Sequence, residues 1–330
     1  MTDRPGAEVS SADHGGQSPA SSESHDVSRG ESKPVPGTIF EIREFTLHDG
    51  PGIRTSVFFK GCPLRCLWCH NPEGQSQRPE LLVNSSVCTH CGGCRKVCPV
   101  GTDPDACTVC GRCTQVCPQN ARRLCGESIT GQELVAKLLR RRDLYTLSGG
   151  GVTLTGGEPL AQPDFAADVA RRLRVAGVHV ALETCGWADH AAYQKLVHEV
   201  QLVYQDIKVV DRQRHRKLTG RDNTLILENL HWLERSGTAY VIRVPLIPGL
   251  NDSQEDLKAV AARLSPSPGL VAVELIPYNI AAGAKYHLLQ KAYPLRNLTF
   301  PQTKQEQCET TTSDPLLKPF IDRGITARHY

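Results

Sequence analysis

Three cysteines crowd one short stretch, "FFKGCPLRCLWCHNPEG" over residues 58–74: Cys62, Cys66 and Cys69, spaced Cys-x3-Cys-x2-Cys. A closed zinc site or a cluster held only by protein takes four ligands, so a loop that supplies three leaves one metal position open to another molecule. A 4Fe-4S cluster on these three thiolates has one iron free to chelate a small molecule through an amine and a carboxylate.

A second constellation follows between residues 87 and 118, where "CTHCGGCRKVCP" and "CTVCGRCTQVCP" repeat one pattern. Cys-x2-Cys-x2-Cys-x3-Cys-Pro is the spacing that holds a pair of 4Fe-4S clusters, the fourth cysteine of each run serving the other cluster. That rule gives Cys88, Cys91, Cys94 and Cys117 to one cluster and Cys98, Cys107, Cys110 and Cys113 to the other. A zinc ribbon needs neither a third cysteine in each knuckle nor the proline, and fits the spacing poorly. Fully ligated clusters shuttle electrons or brace the fold, and the spacing does not choose between these. Cys125, Cys185 and Cys308 remain as ordinary thiols; Cys185, next to Thr184, is the one expected to line a cavity.

The elements that must position these residues read as an α/β protein. "TIFEIREFTL" and "IRTSVFF" are strand-like, and the second runs straight into the three-cysteine loop. "GVTLT", "VHVALET", "QLVYQDIK", "AYVIRVPLI" and "GLVAVELIP" follow, with helical patterns between them. Phe165, Val169 and Leu173 share one helix face, as do Leu257, Val260, Ala261 and Leu264, and Ser253 with Asp256 forms a capping box. Strand and helix repeated in units of about 30 residues signal a parallel sheet of βαβ units. Six units suit a partial (β/α)6 barrel better than a closed eight-fold one, with an open doubly wound sheet as the alternative.

In parallel α/β folds the chemistry sits at the carboxyl ends of the strands. Here those ends carry the cysteine loop, "GGEP" (Gly156, Gly157, Glu158 and Pro159), Glu183 with Thr184, Asp206 with Lys208, Arg243 on the fifth strand, and Asn279. Independent solvated positions would not converge on one rim, although Glu183 or Arg243 taken alone reads equally well as a salt-bridge member.

Composition narrows the setting. The 330 residues are 39% apolar, enough for a core, and 38 basic residues against 35 acidic ones give no call for nucleic acid. No apolar run approaches the ~20 residues that span a bilayer, and no signal peptide is visible, so a cytoplasmic protein is expected. In that reducing setting 14 cysteines point to metals before disulfides. Residues 1–36, rich in Ser, Gly and acidic residues, are expected to be a disordered tail.

The Cys-x3-Cys-x2-Cys loop, the aromatic Trp68 before its last cysteine and the downstream "GGEP" resemble the radical S-adenosylmethionine superfamily. The resemblance implies that S-adenosylmethionine binds the open iron through its methionyl amino and carboxylate groups, with Gly156, Gly157 and Glu158 holding the amino end. An electron from the cluster then cleaves the sulfonium to a 5'-deoxyadenosyl radical. A narrower resemblance covers "HDGPGIRTSVFFKGCPLRCLWCHNPE", residues 48–73, and continues through "SGGGVTLTGGEPL", "ETCG", "QDIK" and "RVPLIPGLNDS". It is to the glycyl radical enzyme activating enzymes, in the branch with an inserted two-cluster ferredoxin unit.

That resemblance implies a discontinuous barrel over 37–84 and 126–300, a ferredoxin-like insertion over 85–125 and a C-terminal extension over 301–330. It implies a partner glycyl radical enzyme whose glycine loses a Cα hydrogen, and reduced flavodoxin or ferredoxin as donor, with no nucleic acid or membrane partner. Asp49 and Arg54 would position the substrate peptide. Trp68, Glu183, Lys208 and Arg243 would contact cofactor or substrate, with Lys208 among the catalytic residues, and Glu183, Thr184 and Asp206 would line a monovalent cation site. Asn279 stands where some members have histidine; it can hydrogen-bond the cofactor and cannot titrate.

Overall fold

The computed structural model of the protein describes residues 35–101, 103, 106–297 and 314–330. Eleven strands form in chain order: β1 (Pro36–Thr46), β2 (Arg54–Phe59), β3 (Glu80–Val83), β4 (Arg122–Cys125), β5 (Glu127–Thr130), β6 (Gly151–Gly156), β7 (His179–Thr184), β8 (Leu202–Asp206), β9 (Ala239–Leu246), β10 (Leu270–Pro277) and β11 (Ala327–His329). Nine of them make one sheet in the order β11-β10-β9-β8-β7-β6-β2-β1-β5. From β2 through β6 to β10 every neighbour is parallel. Among these parallel strands each lies beside the parallel strand before it, with no point where their order reverses. A doubly wound sheet requires such a reversal, so the order selects the barrel type of winding.

Two strands were not anticipated in these places. β1 runs antiparallel to β2 and carries β5 on its far side, and β11 adds in parallel to β10. Residues 301–330 therefore contribute a strand to the main sheet. β3 pairs only with β4, antiparallel, as a separate two-stranded sheet that flanks the cysteine-rich segment. Most of the expected N-terminal tail and Cys308 lie outside the described residues, and Pro36 already starts β1.

Successive side chains of a strand face opposite sides, and the two faces of this sheet differ. Val57, Leu154, Val180, Leu182, Val203 and Ile242 face the helices and join Phe165, Val169 and Leu173 of the helix Pro163–Val175 in the main core. Leu257, Val260 and Ala261 of the helix Gln254–Arg263 pack into the same core, and Ser253 caps that helix by accepting from Asp256 N at 3.1 Å. Each such fully buried aliphatic side chain is worth about 1.5–3 kcal/mol. The alternate residues form the second face: a small apolar cluster of Ala181, Leu202, Tyr204 and Val241, with Thr155, Glu183, Asp206, Arg243 and Glu274 in the same alternation. An all-apolar strand would have served packing; this alternation sets a polar face beside the strand ends.

Candidate active site

β2 ends at Phe59 and the chain turns at once into the cysteine loop. The loop is fastened on both sides. Gly61 N donates to Gly74 O (2.8 Å) and Ser76 O (3.1 Å), while Arg65 N and Leu67 N donate to Thr219 O (2.7 Å) and Leu218 O (3.0 Å). The Arg65 guanidinium donates to Cys62 O at 2.6 Å. Beneath it Trp68 is buried in a satellite cluster with Val209, Leu218, Ile247 and Leu295. Trp68 is thus the foundation of the loop, packed among these side chains directly beside Cys69.

The thiols suit a bound cation. None of the thirteen described cysteines is in a disulfide. Burial pushes the Cys66 thiol far up and the Cys69 thiol up to about 11. Such groups become thiolates at neutral pH when a metal takes the charge. Cys185 hydrogen-bonds Cys62, which holds the Cys62 thiol below its ordinary value and raises its own, so Cys185 does stand beside the loop. Among the described residues no three His, Cys, Asp or Glu side chains converge on a single point. A cubane takes one thiolate per iron, so its cysteines need not converge as the ligands of one ion must.

On the second face of the sheet Arg243 is the hub. It donates to Glu183 Oε1 at 2.8 Å, to Glu274 Oε2 at 3.0 Å and to His48 O at 3.0 Å, and it lies over the Tyr204 ring at 3.9 Å and the Tyr330 ring at 4.8 Å. Burial would raise the Glu183 carboxyl, but the Arg243 guanidinium and a 2.6 Å hydrogen bond from Thr155 hold it below the usual carboxylate range. Glu274, Tyr204 and Tyr330 were not anticipated. Glu274 is legible as the polar break in "VAVELIP"; Tyr330, 282 residues from the His48 carbonyl to which it donates at 2.6 Å, leaves no sequence signal.

Lys208 donates to Asp206 Oδ2 at 2.6 Å. Burial would lower it, yet Asp206 and the nearby Cys66 thiol raise it, so it stays charged within electrostatic reach of the loop. A fixed cation there favours thiolates and the carboxylate of a bound ligand.

The "GGEP" turn packs tightly against the chain that leads into and out of the cysteine loop. A Cβ on Gly157 would lie 2.3 Å from Gly74 O and 2.4 Å from Gly61 O, and one on Gly156 would lie 2.4 Å from Phe59 N. What the glycines admit at close range is the backbone of the cysteine loop itself. Glu158 is 1% exposed, with Oε1 accepting from Leu160 N (3.0 Å) and Thr184 Oγ1 (2.8 Å) and Oε2 from Cys185 N (2.7 Å). Its carboxylate ties "GGEP" to "ETCG". Because Thr184 points back to Glu158 while Glu183 points to the second face, the three side chains expected around a cation are not brought together.

The segment before β2 crosses that second face. Thr153 Oγ1 donates to Asp49 O at 2.7 Å, and Ser56 donates to the Asp49 carboxylate. Arg54 is 0% exposed and donates to Thr153 Oγ1 and Val152 O, both at 2.7 Å, and to Pro51 O at 3.1 Å. It braces the 48–53 turn from below, so any hold on a peptide passes through that turn. Asn279 is exposed just past β10, where its Oδ1 accepts from Ala281 N at 2.9 Å.

In the cysteine-rich segment, Cys98, Cys107, Cys110 and Cys113 all line one cavity of about 580 Å³, the four that the crossed pattern groups together. The two runs also share an unusual backbone: His90 and Val109 both have φ 55°, and Gly92 and Gly111 have φ 74° and 75°. A β-branched residue in the left-handed region costs about 1–3 kcal/mol and persists where its surroundings impose it. Cys117 Sγ accepts from Ala121 N at 3.2 Å, a contact that suits a thiolate.

Residues 56–261 match the family described as the Radical SAM superfamily. The choline trimethylamine-lyase activating enzyme of Oleidesulfovibrio alaskensis is 41% identical over 273 residues, covering 78% of this chain and 88% of the relative. The trans-4-hydroxy-L-proline dehydratase activating enzyme of Clostridioides difficile is 40% identical, covering 81% and 92%. The benzylsuccinate synthase activating enzyme of Thauera aromatica is 38% identical, covering 87% and 90%. A crystal structure of a domain of pyruvate-formate lyase-activating enzyme from Bacteroides vulgatus aligns with a TM-score of 0.42 at 26% identity, over 55% of this chain and 99% of that one. The chain belongs to the radical SAM superfamily and, within it, to the glycyl radical enzyme activating enzymes. That membership implies S-adenosylmethionine and a 4Fe-4S cluster. No helix of the described residues is long and apolar enough to cross a membrane.

Proposed function

We propose that this chain activates a partner glycyl radical enzyme by abstracting a Cα hydrogen from one glycine of that partner, with S-adenosylmethionine held at Cys62, Cys66 and Cys69. The reading rests above all on a three-thiol loop at the end of β2 whose neighbours are Lys208 and the Arg243–Glu183 pair. When bound, the cluster and S-adenosylmethionine supply one electron and a 5'-deoxyadenosyl radical. The protein's part is placement. Lys208 holds positive charge beside the thiols, Glu183 and Arg243 offer an acceptor and donors on the second face, and the 48–53 turn frames the route by which a peptide arrives. Glycine suits as target because no side chain blocks its Cα.

The insertion would carry two further clusters, on Cys88, Cys91, Cys94 and Cys117 and on Cys98, Cys107, Cys110 and Cys113, and would be ferredoxin-like in kind. A monovalent cation at Glu183, Thr184 and Asp206 would share these carboxylates with Arg243 and Lys208. Flavodoxin or ferredoxin is the donor in this reading. The names of the relatives differ in the partner activated and share the activation, and that shared step is the one assigned here. The test is 5'-deoxyadenosine formation by anaerobically reconstituted protein with dithionite, beside Cys66→Ala, followed by electron paramagnetic resonance of the partner's glycyl radical. Cleavage by the native protein alone supports the assignment; cleavage that survives Cys66→Ala refutes it.

A further inference from the structure

A cavity of about 770 Å³ opens on the helix side of the cysteine loop, with Cys62 and Pro63 in one wall and Trp187, Ala188 and Asp189 in the other. Glu183, Asp206 and Arg243 occupy the opposite face of the sheet, so the loop separates this cavity from the place where substrate would be handled. Arg65 and Arg78 also line the cavity, and Arg221 lies over the Trp187 ring at 4.9 Å while donating to Pro63 O at 3.4 Å.

Behind this rim stands the helix Arg212–Thr219, the same one whose Leu218 and Thr219 carbonyls hold the cysteine loop. The segment 209–222 carries Arg212, Arg214, Arg216, Lys217 and Arg221 against Asp211 and Asp222, in a chain whose total is only +3. Ion pairs account for some of that charge: Arg212 and Arg216 bind Asp222, and Arg214 binds Asp256. Arg65, Arg78, Lys217 and Arg221 bind no carboxylate among the described residues. Asp189, the acid in the cavity, accepts from Ala191 N and Ala192 N at the start of the helix His190–Val197. Arg65, Arg78 and Arg221 at this mouth, with Lys217 on the adjoining helix, raise the local concentration of anionic partners in a protein otherwise balanced in charge.

Building on the function proposed above, we propose that this cavity and its cationic rim are the docking surface for a small acidic electron-transfer protein, which delivers its electron through the Cys62 wall. The balance is simple: the donor's redox group loses one electron, the metal centre held by the loop gains it, and no bond forms or breaks in that step. Trp187 lines this cavity under the Arg221 guanidinium. Delivery from the helix side leaves the second face free for the glycine-bearing partner.

The experiment follows reduction of the reconstituted three-cluster protein by stopped-flow, with photoreduced flavodoxin as the probe and dithionite as the small-molecule control. Native protein is compared with Lys217→Glu/Arg221→Glu. We expect the flavodoxin rate constant to fall on the order of tenfold or more at low salt, and the gap to close at high salt, while the dithionite rate stays unchanged. Equal flavodoxin rates in the two proteins overturn the proposal, as does a native rate that is flat across the salt series. If the double variant also slows with dithionite, the single Lys217→Gln, at an exposed residue away from the loop, decides by the same two criteria. Failure of native protein to cleave S-adenosylmethionine with dithionite would count against the function, whereas loss confined to flavodoxin bears on the docking surface alone.

Discussion

Replacing Arg243 with methionine isolates the electrostatic centre of the site. Its side chain is 5% exposed, between Glu183 and Glu274 at 29% and 5%. Methionine fills a similar volume and leaves the Glu183 carboxylate without its cation, whereas Glu274 keeps Arg328 at 2.6 Å. Breaking one side of a buried pair costs about 3–5 kcal/mol. For a chain of this size that lowers the melting temperature on the order of 5–10 °C.

The loss carries a pH signature. In the native protein Glu183 is held below its unfolded value, so its contribution is present above about pH 4 and fades as the pH falls through the native value. Without Arg243, burial dominates and the folded value rises above the unfolded one, so stability drops as the pH climbs through that interval. The difference between the two proteins should therefore be full by about pH 7 and shrink as the pH falls below about 4, through the native value. Anaerobic scanning calorimetry across that range measures it, and Arg243→Lys should recover part of the loss. A deficit that does not grow with pH would refute the buried ion-pair argument.

Gly157→Ala should disturb the cysteine loop, because the new Cβ meets two backbone carbonyls; a loss of about 1–3 kcal/mol and poor cluster reconstitution are expected, read by iron content and melting temperature. Val109→Gly removes the penalty of a β-branched residue at φ 55° and should raise stability by on the order of 1 kcal/mol, with reconstituted iron unchanged; a lower melting temperature would contradict it. Cys62→Ala/Cys66→Ala/Cys69→Ala should reduce iron from about twelve to about eight atoms per chain and abolish 5'-deoxyadenosine formation. Loss of all iron would mean that the insertion does not hold its clusters independently.

The sequence by itself determined the local chemistry. Cysteine spacing groups the ligands within a few residues of one another, and Phe165, Val169 and Leu173 share a helix face because a helix repeats every 3.6 residues. Period-two alternation in "VHVALET" sets Glu183 and Thr184 on opposite faces on sight.

Tertiary structure alone decided which polar groups are free to meet a ligand. Glu158 and Arg54 carry charges suited to a site, yet their atoms are taken by Thr184, Cys185, Val152 and Pro51, partners up to 98 residues away. The sheet brings Phe58 and Phe59 against Gly156, and Gly61 and Gly74 against Gly157, which sequence alone does not show. Tyr330 reaches His48 only because β11 pairs with β10 at the sheet edge. Local residue type fixes what a side chain can do, and long-range packing fixes whether that capacity is spent inside the fold or left facing the site.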